Sequence, residues 1–121
     1  MSLLSKPARP VPTTVDGTLL DAQTTNTNGT WQYLGAVAPW SYTTRGVFNG
    51  CTVTLLASNQ VTKPLDSDNN QSTIQAFTSP GNGGQSFGYR WIKAIVAAAG
   101  GSTSVSVDIM GPAGPPPTTL T

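Results

Sequence analysis

The chain has 121 residues and few charges: 9% of its residues are charged, six are Lys or Arg and five are acidic, and the net charge is +1. So weak a charge does not attract nucleic acid or an anionic membrane surface, and we expect neither as a partner. There is no His, and all five acidic residues are Asp, so the commonest general base and zinc ligand is missing. The composition predicts a protein with one domain that is not an enzyme and needs no metal or other cofactor.

The first segment in chain order is rich in proline. Residues 1–15, MSLLSKPARPVPTTV, hold three of the ten prolines and lack the apolar stretch of a signal peptide, so we do not expect export by the general secretory route. Because proline presets φ and removes a hydrogen-bond donor, we predict an extended N-terminal arm that docks on a partner. Its apolar side chains would fill pockets and its two cations would meet acidic groups. The candidate binding residues are Leu3, Leu4, Lys6, Arg9, Val11 and Val15.

Residues 16–110 are predicted to form the single folded domain, built from β-strands. TLLDAQT, TWQYLGAVA and STIQAF are the earlier candidate strands, and TNTNG, LDSDNNQ and SPGNGGQ are the turns between strands. No segment repeats apolar residues at helical spacing for more than a turn or two. Five to eight short strands with polar turns indicate an all-β antiparallel β-sandwich or jelly roll, with a short or distorted barrel as the alternative.

Two segments show the clearest alternation of apolar and polar residues. In GVFNGCTVTLLAS, Cys51, Val53 and Leu55 fall on one face, and TSVSVDIM repeats this pattern from Val105 to Ile109. TSVSVDIM follows the segment YRWIKAIVAAA through a GGS turn, so we predict that YRWIKAIVAAA and TSVSVDIM form a hairpin. Cys51 is the single cysteine, and we expect its thiol to be buried and reduced.

The last segment is again rich in proline. Residues 111–121, GPAGPPPTTLT, hold four prolines and are predicted to form a C-terminal tail near the polyproline II conformation. Ordering such a tail on a partner costs less entropy than ordering a Gly/Ser chain of equal length. Its candidate binding residues are Pro115, Pro116, Pro117 and Leu120, of which Leu120 is the large apolar anchor.

One turn offers oxygen ligands. Asp66, Asp68, Asn69 and Asn70 have the spacing of a calcium loop, but the glycine of the sharp turn and the bidentate acid at the twelfth position are missing. A solvated turn without metal is therefore the favoured interpretation.

Four aromatic residues lie close together in the sequence. Trp31, Tyr33, Trp40 and Tyr42 are compatible with a surface on which sugar rings stack, but packing in the core or at an interface uses the same residues and is favoured. The sequence leaves both alternatives open.

Three parts of the chain together resemble small head proteins encoded beside the capsid genes of tailed bacteriophages. These parts are GVFNGCTVTLLASNQ, the later AFT strand and YRWIKAIVAAAGGSTSVSVDIMG, and the resemblance covers roughly residues 31–111. The chain departs from the pattern after the Ser-Asn turn, where relatives continue with Asp-Gly and a Trp and this chain has QVTKPLDSDNNQ. The matching residues are Gly46, Phe48, Gly50, Thr52, Val53, Thr54, Leu55, Ser58, Asn59, Arg90, Ile92, Ala94, Gly100, Gly101 and Ser102.

The resemblance implies a structural virion protein. Its expected role is that of a capsid decoration or cement protein, which binds the outside of a phage head and stabilises the major capsid lattice. The implied partners are the major capsid protein and further copies of the chain in a dimer or trimer. The implied location is the capsid surface, after assembly in the host cytoplasm. The alternative is a carbohydrate- or receptor-binding β-sandwich module of a head fibre or tail.

Overall fold

Residues 14–68 and 71–112 are described in a computed structural model of the chain, and they form two antiparallel sheets of four strands each. The predicted all-β class is confirmed, and the two-sheet arrangement is consistent with a β-sandwich. Within this part of the chain no helix is long and apolar enough to cross a membrane. The strands are β1 (Thr14–Gln23), β2 (Gln32–Tyr33), β3 (Trp40–Val47), β4 (Thr52–Ser58), β5 (Ser72–Phe77), β6 (Gly81–Gln85), β7 (Trp91–Ala97) and β8 (Ser104–Pro112).

The alternation predicted for β4 and β8 is confirmed. Cys51, Val53 and Leu55 are fully buried, whereas Thr52 and Thr54 are half-buried on the outer face of the sheet. Both sheets contribute alternate residues to one core, which removes their apolar side chains from water. The core contains Leu20, Leu34, Val37, Trp40, Tyr42, Phe48, Cys51, Val53, Leu55, Ala57, Phe77, Ile92, Ala94, Val96, Val105, Val107 and Ile109.

The predicted hairpin between the last two strands is wrong. The first sheet has the strand order β1-β8-β3-β6 and the second β2-β7-β4-β5, so β7 and β8 lie in different sheets. Only β4 and β5 are both consecutive and paired, and every other connection passes from one sheet to the other. The alternating pattern specifies which face of a strand is buried, but either sheet of a sandwich can bury that face.

The earlier strand predictions have mixed outcomes. STIQAF coincides with β5, TLLDAQT overlaps the second half of β1, and only Gln32–Tyr33 of TWQYLGAVA is a strand. The sequence predicted no strand over the residues of β3. It also predicted a turn at SPGNGGQ, where the structure has the strand β6.

Tertiary packing explains why glycine-rich β6 is a strand. A Cβ atom at Gly83 would overlap the ring of Tyr42 and the Oε1 atom of Gln75. The Tyr42 hydroxyl passes this point, donates to Gln75 Oε1 at 2.9 Å and accepts from Gln85 Nε2 at 3.0 Å. Gly83 therefore lowers the strand propensity of β6, but it leaves the space in which the buried Tyr42 links β3, β5 and β6.

The sheet extends beyond the predicted limits of the domain. Thr14 pairs with Pro112 and Val15 pairs with Gly111, so both predicted boundaries move outward by two residues. Gly111 is buried against Trp40 and belongs to β8 rather than to a tail. Pro112 is the last residue of its strand, a position that tolerates the missing N–H.

Candidate docking surface

The β1–β8 ladder brings both proline-rich segments to one place. Thr14, the first described residue, is the register partner of Pro112, the last one. Residues 1–13 and 113–121 therefore attach to the domain at neighbouring positions of one sheet. The sequence predicted two arms but gave no reason to expect that they share an attachment point.

Three loops lie at the same end of the two sheets as this attachment point and define what we call the arm end of the sandwich. Register pairs place Met110 beside the start of β3 and Trp91 beside the end of β4. The connections 34–39, 59–68 and 86–90 consequently lie at the same end as the Thr14–Pro112 pair. The turns at residues 48–51 and 98–103 lie at the other end, which we call the turn end.

Large apolar side chains are exposed mainly at the arm end. Six such residues are exposed in the described ranges, and five of them are on or beside the arm-end loops, with 54% to 75% of their surface accessible. The sixth, Val47, lies at the turn end. Clustered exposed apolar residues are typical of surfaces that bind another protein. The five arm-end residues are Tyr33, Val61, Leu65, Phe87 and Met110.

A buried tryptophan, Trp40, and a half-buried one, Trp91, hold the backbone beneath these exposed side chains. Trp40 Nε1 donates to the carbonyl oxygen of Phe87 at 2.9 Å, and Trp91 Nε1 donates to the carbonyl oxygen of Gln60 at 2.9 Å. The Tyr33 ring packs edge-on against the Trp91 ring with centroids 5.2 Å apart. Because these contacts order the loops in advance, binding at this surface costs less conformational entropy.

A carboxylate organises the 59–68 loop. Asp68 accepts from the Leu65 N–H at 2.8 Å and from Gln60 Nε2 at 2.9 Å. The backbone hydrogen bond from Leu65, followed by that from Gln60, lowers the pKa of Asp68 because both stabilise the charged form. The described part of the chain contains no group of three potential metal ligands, and Asn69 and Asn70 lie outside it. The described contacts of Asp68 are those of a hydrogen-bonded turn.

The same loop covers a cation on the outer face of the second sheet. Lys93 lies between the core residues Ile92 and Ala94 of β7, so its side chain points to the outer face of the sheet. This side chain is nevertheless only 4% exposed. Its Nζ atom lies 3.1 Å from Asp66 Oδ1 and 4.9 Å from the centroid of the Trp31 ring. The carboxylate and the π face together compensate the lost hydration of the ammonium group.

The four aromatic residues do not form a common exposed platform. Trp31, Trp40 and Tyr42 are buried, and Tyr33 is the exposed member of the set. Trp40 and Tyr42 pack against each other within the core, with ring centroids 5.2 Å apart. Three of the four residues are therefore packed in the interior of the protein, which is the alternative to a sugar-stacking surface.

Cys51 is buried as predicted and is not part of a disulfide. Desolvation raises the pKa of its thiol, because burial disfavours the charged thiolate. A neutral and inaccessible thiol is a poor nucleophile, so Cys51 has the features of a core residue.

Most predicted arm residues lie outside the described ranges. Val15 is the exception, since its backbone belongs to β1, although its side chain is among those not described. Of the five apolar residues at the arm end, only Tyr33 was among the candidate residues, and Met110 was missed at the end of a predicted strand. Val61, Leu65 and Phe87 were missed because the sequence places them in polar loops. Their one signal is that each is a large apolar residue next to predicted turns. The predicted binding residues outside the described ranges are Leu3, Leu4, Lys6, Arg9, Val11, Pro115, Pro116, Pro117 and Leu120.

No protein-family model matches the chain, and neither a curated protein nor a solved structure shows significant similarity to it. The likeness to phage head proteins remains a hypothesis from the sequence motifs.

Proposed function

We propose that this protein is a capsid decoration protein, which binds the outside of a phage head through its arm end and stabilises the lattice of the major capsid protein. The observation that carries the proposal is the shared attachment of both proline-rich segments at Thr14 and Pro112, among exposed apolar side chains. An arrangement of this kind gives a small domain one docking end with two extensions of its contact surface.

We also infer that the two sheets form a jelly roll. The strand orders β1-β8-β3-β6 and β2-β7-β4-β5 support this inference, because nearly every connection changes sheets as two Greek keys require. Viral capsid and lectin domains use this architecture, so it agrees with a virion role but does not by itself distinguish it from sugar binding. The burial of Trp31, Trp40 and Tyr42 favours the virion role, because an aromatic sugar platform needs exposed rings.

The proposed mechanism is clamping. Thirteen residues before Thr14 reach at most about 43 Å when extended at roughly 3.3 Å per residue, which is enough to contact a neighbouring capsid subunit. Lys6 and Arg9 give the N-terminal arm two cations and no acid, which suits an acidic rim on the capsid. Contacts by the domain and by the arm must then break together before the protein leaves, and this raises its effective affinity.

The test compares two truncations on heads prepared without this protein. Deletion of residues 1–13 should weaken binding to heads by about 100-fold or more, since it removes one of the linked contacts. Deletion of residues 113–121 is the matched control for losing a proline-rich segment, and it should weaken binding less because Leu120 is its one large apolar residue. Binding isotherms and cryo-EM occupancy measure both effects.

Thermal unfolding of the free protein is the control for folding. Both truncations end outside the β1–β8 ladder, so the melting transition should stay close to that of the full chain. A full chain that does not bind heads contradicts the decoration role. A protein without residues 1–13 that still saturates heads at unchanged affinity shows that the arm is passive and contradicts the clamping mechanism.

A further inference from the structure

The two lateral sides of the sandwich differ in how their edge strands are protected. On one side, β1 carries the exposed Asp21 and two register shifts, and the edge strand β2 has only two residues. On the other side, the edge strands β5 and β6 contain no charged residue and no proline, and β6, unlike β5, pairs without a register shift. Charges, bulges and short strands are the usual protection against pairing with another chain. We propose that β6 pairs with β6 of a second copy across a two-fold axis.

The peptide groups of β6 alternate between β3 and the outside. The Gly81 N–H donates to Thr44 Oγ1 at 3.0 Å, and the Gly81 carbonyl accepts from the same hydroxyl at 3.4 Å, so both groups of Gly81 face β3. Successive residues of a strand direct their peptide groups to opposite sides. Asn82 and Gly84 therefore direct their N–H and C=O groups away from the sheet, to the side where the described residues provide no strand.

The sequence of β6 is complementary to itself under antiparallel pairing. With the two-fold axis at Gly83, Asn82 stands opposite Gly84 of the second copy, and Gln85 stands opposite Gly81 of the second copy. Each side chain thus meets a glycine, and the axis itself passes between two glycines. Asn82 and Gly84 are also the residues with outward peptide groups, so the pair forms four backbone hydrogen bonds.

The edge is ordered before the second copy arrives. Tyr42 is 2% exposed, and its hydroxyl links Gln75 of β5 to Gln85 of β6. Thr44 holds the first residue of β6 through its hydroxyl. A rigid edge loses little conformational entropy on pairing, and the product is a continuous sheet of eight strands. This interface does not depend on the proposed capsid role.

The first experiment measures the mass of the full chain by analytical ultracentrifugation over a range of concentrations. We expect the wild type to form dimers and Asn82→Pro to lose them, because proline removes an outward N–H in each copy. Proline is tolerated at an edge where the N–H faces solvent, so the domain should still fold. Asn82→Ala is the matched control, since it loses the same side chain and keeps the N–H, and it should still form dimers.

A second measurement uses only the wild type, so it holds if Asn82→Pro fails to fold. Hydrogen exchange of the Asn82 and Gly84 amides in β6 should slow as the protein concentration rises, whereas exchange in the interior strands β3 and β8 should not change. A chain that stays monomeric at all concentrations overturns the proposal. So does a dimer that survives Asn82→Pro or that is lost on deletion of residues 1–13. Slow exchange of these amides at every concentration, reversed by that deletion, would show that the N-terminal arm covers β6 and would also overturn it.

Discussion

The arm end and the turn end are built on the same two sheets, but they differ in which groups they bury. The turn end buries a hydrogen-bonded polar side chain, whereas the arm end exposes large apolar side chains. At the turn end, Thr103 is buried, its hydroxyl donates to the carbonyl oxygen of Phe48 at 2.8 Å, and it accepts from the Gly100 N–H at 2.8 Å. Asn49 and Gly50 have φ values of 48° and 86°, which suit a tight turn. The turns at residues 48–51 and 98–103 are therefore closed by a buried hydroxyl that has both of its hydrogen-bond partners.

The arm end leaves large apolar side chains in water. Its loops are held by Trp40 and Trp91 through their indole N–H groups, yet Phe87 and Val61 above them are exposed. Burying such side chains would stabilise the protein by about 1.5–3 kcal/mol each, which the free chain does not gain. Order and burial are therefore separate properties of this molecule, because the arm end is ordered without being buried, as a docking surface must be. The predictions that follow test this contrast, from the largest expected change in stability to the smallest.

Thr103→Val should cost the most. It keeps the shape of the side chain but leaves the part-buried Gly100 N–H without its partner, at a cost of about 1–3 kcal/mol. It also removes one of two hydrogen bonds to the Phe48 carbonyl, which still accepts from the Cys51 N–H at 3.0 Å. We expect a loss of about 1–3 kcal/mol in the free energy of unfolding, measured by urea denaturation. Thr54→Val, on the half-buried outer face of β4, is the matched control and should change stability by less than about 0.5 kcal/mol. Equal losses in the two variants would show that the turn end is not closed by Thr103.

Trp40→Phe should have an intermediate effect. It removes the hydrogen bond to the Phe87 carbonyl and part of a buried ring, at a cost of about 1–2 kcal/mol. Amide exchange in residues 86–90 should accelerate more than exchange in the turn at residues 98–103. If both regions respond alike, Trp40 contributes to general stability and does not specifically order the arm end.

Phe87→Ser should leave folding nearly unchanged and still weaken docking. Because Phe87 is 67% exposed, its replacement should alter the free energy of unfolding by no more than about 0.5 kcal/mol. Val47→Ser makes a similar change at the turn end and should leave both stability and head binding as they are. Head binding that falls equally in both variants would contradict the assignment of docking to the arm end.

The smallest effect concerns the pH dependence of the 59–68 loop. The folded-state pKa of Asp68 is lowered, so its contribution to stability is present above the unfolded pKa and is lost as pH falls through the folded pKa. The amide resonance of Leu65, which donates to this carboxylate, should titrate with a midpoint below the ordinary Asp value of about 3.9. A midpoint at or above that value would show that the hydrogen bonds do not hold the loop in solution.

The limits of prediction differ between the fold and the docking surface. The arms were predicted from proline content, but their common attachment depends on the Thr14–Pro112 pairing, which joins residues about as far apart in the chain as the domain allows. Phe87 and Val61 have no periodic pattern around them, so nothing local indicates that their loops share an end. Which loops meet is a property of strand order.

The all-β class and the inward faces of β4 and β8 follow from the amino-acid sequence, because a period of two is a local property of the chain. Tertiary packing placed β7 and β8 in different sheets, since a buried face can be covered equally well by either layer of a sandwich. It also decided that Gly81–Gln85 is a strand, where local propensity predicts a turn. There the buried Tyr42 needs the space that Gly83 leaves open, and this requirement comes from a residue on another strand.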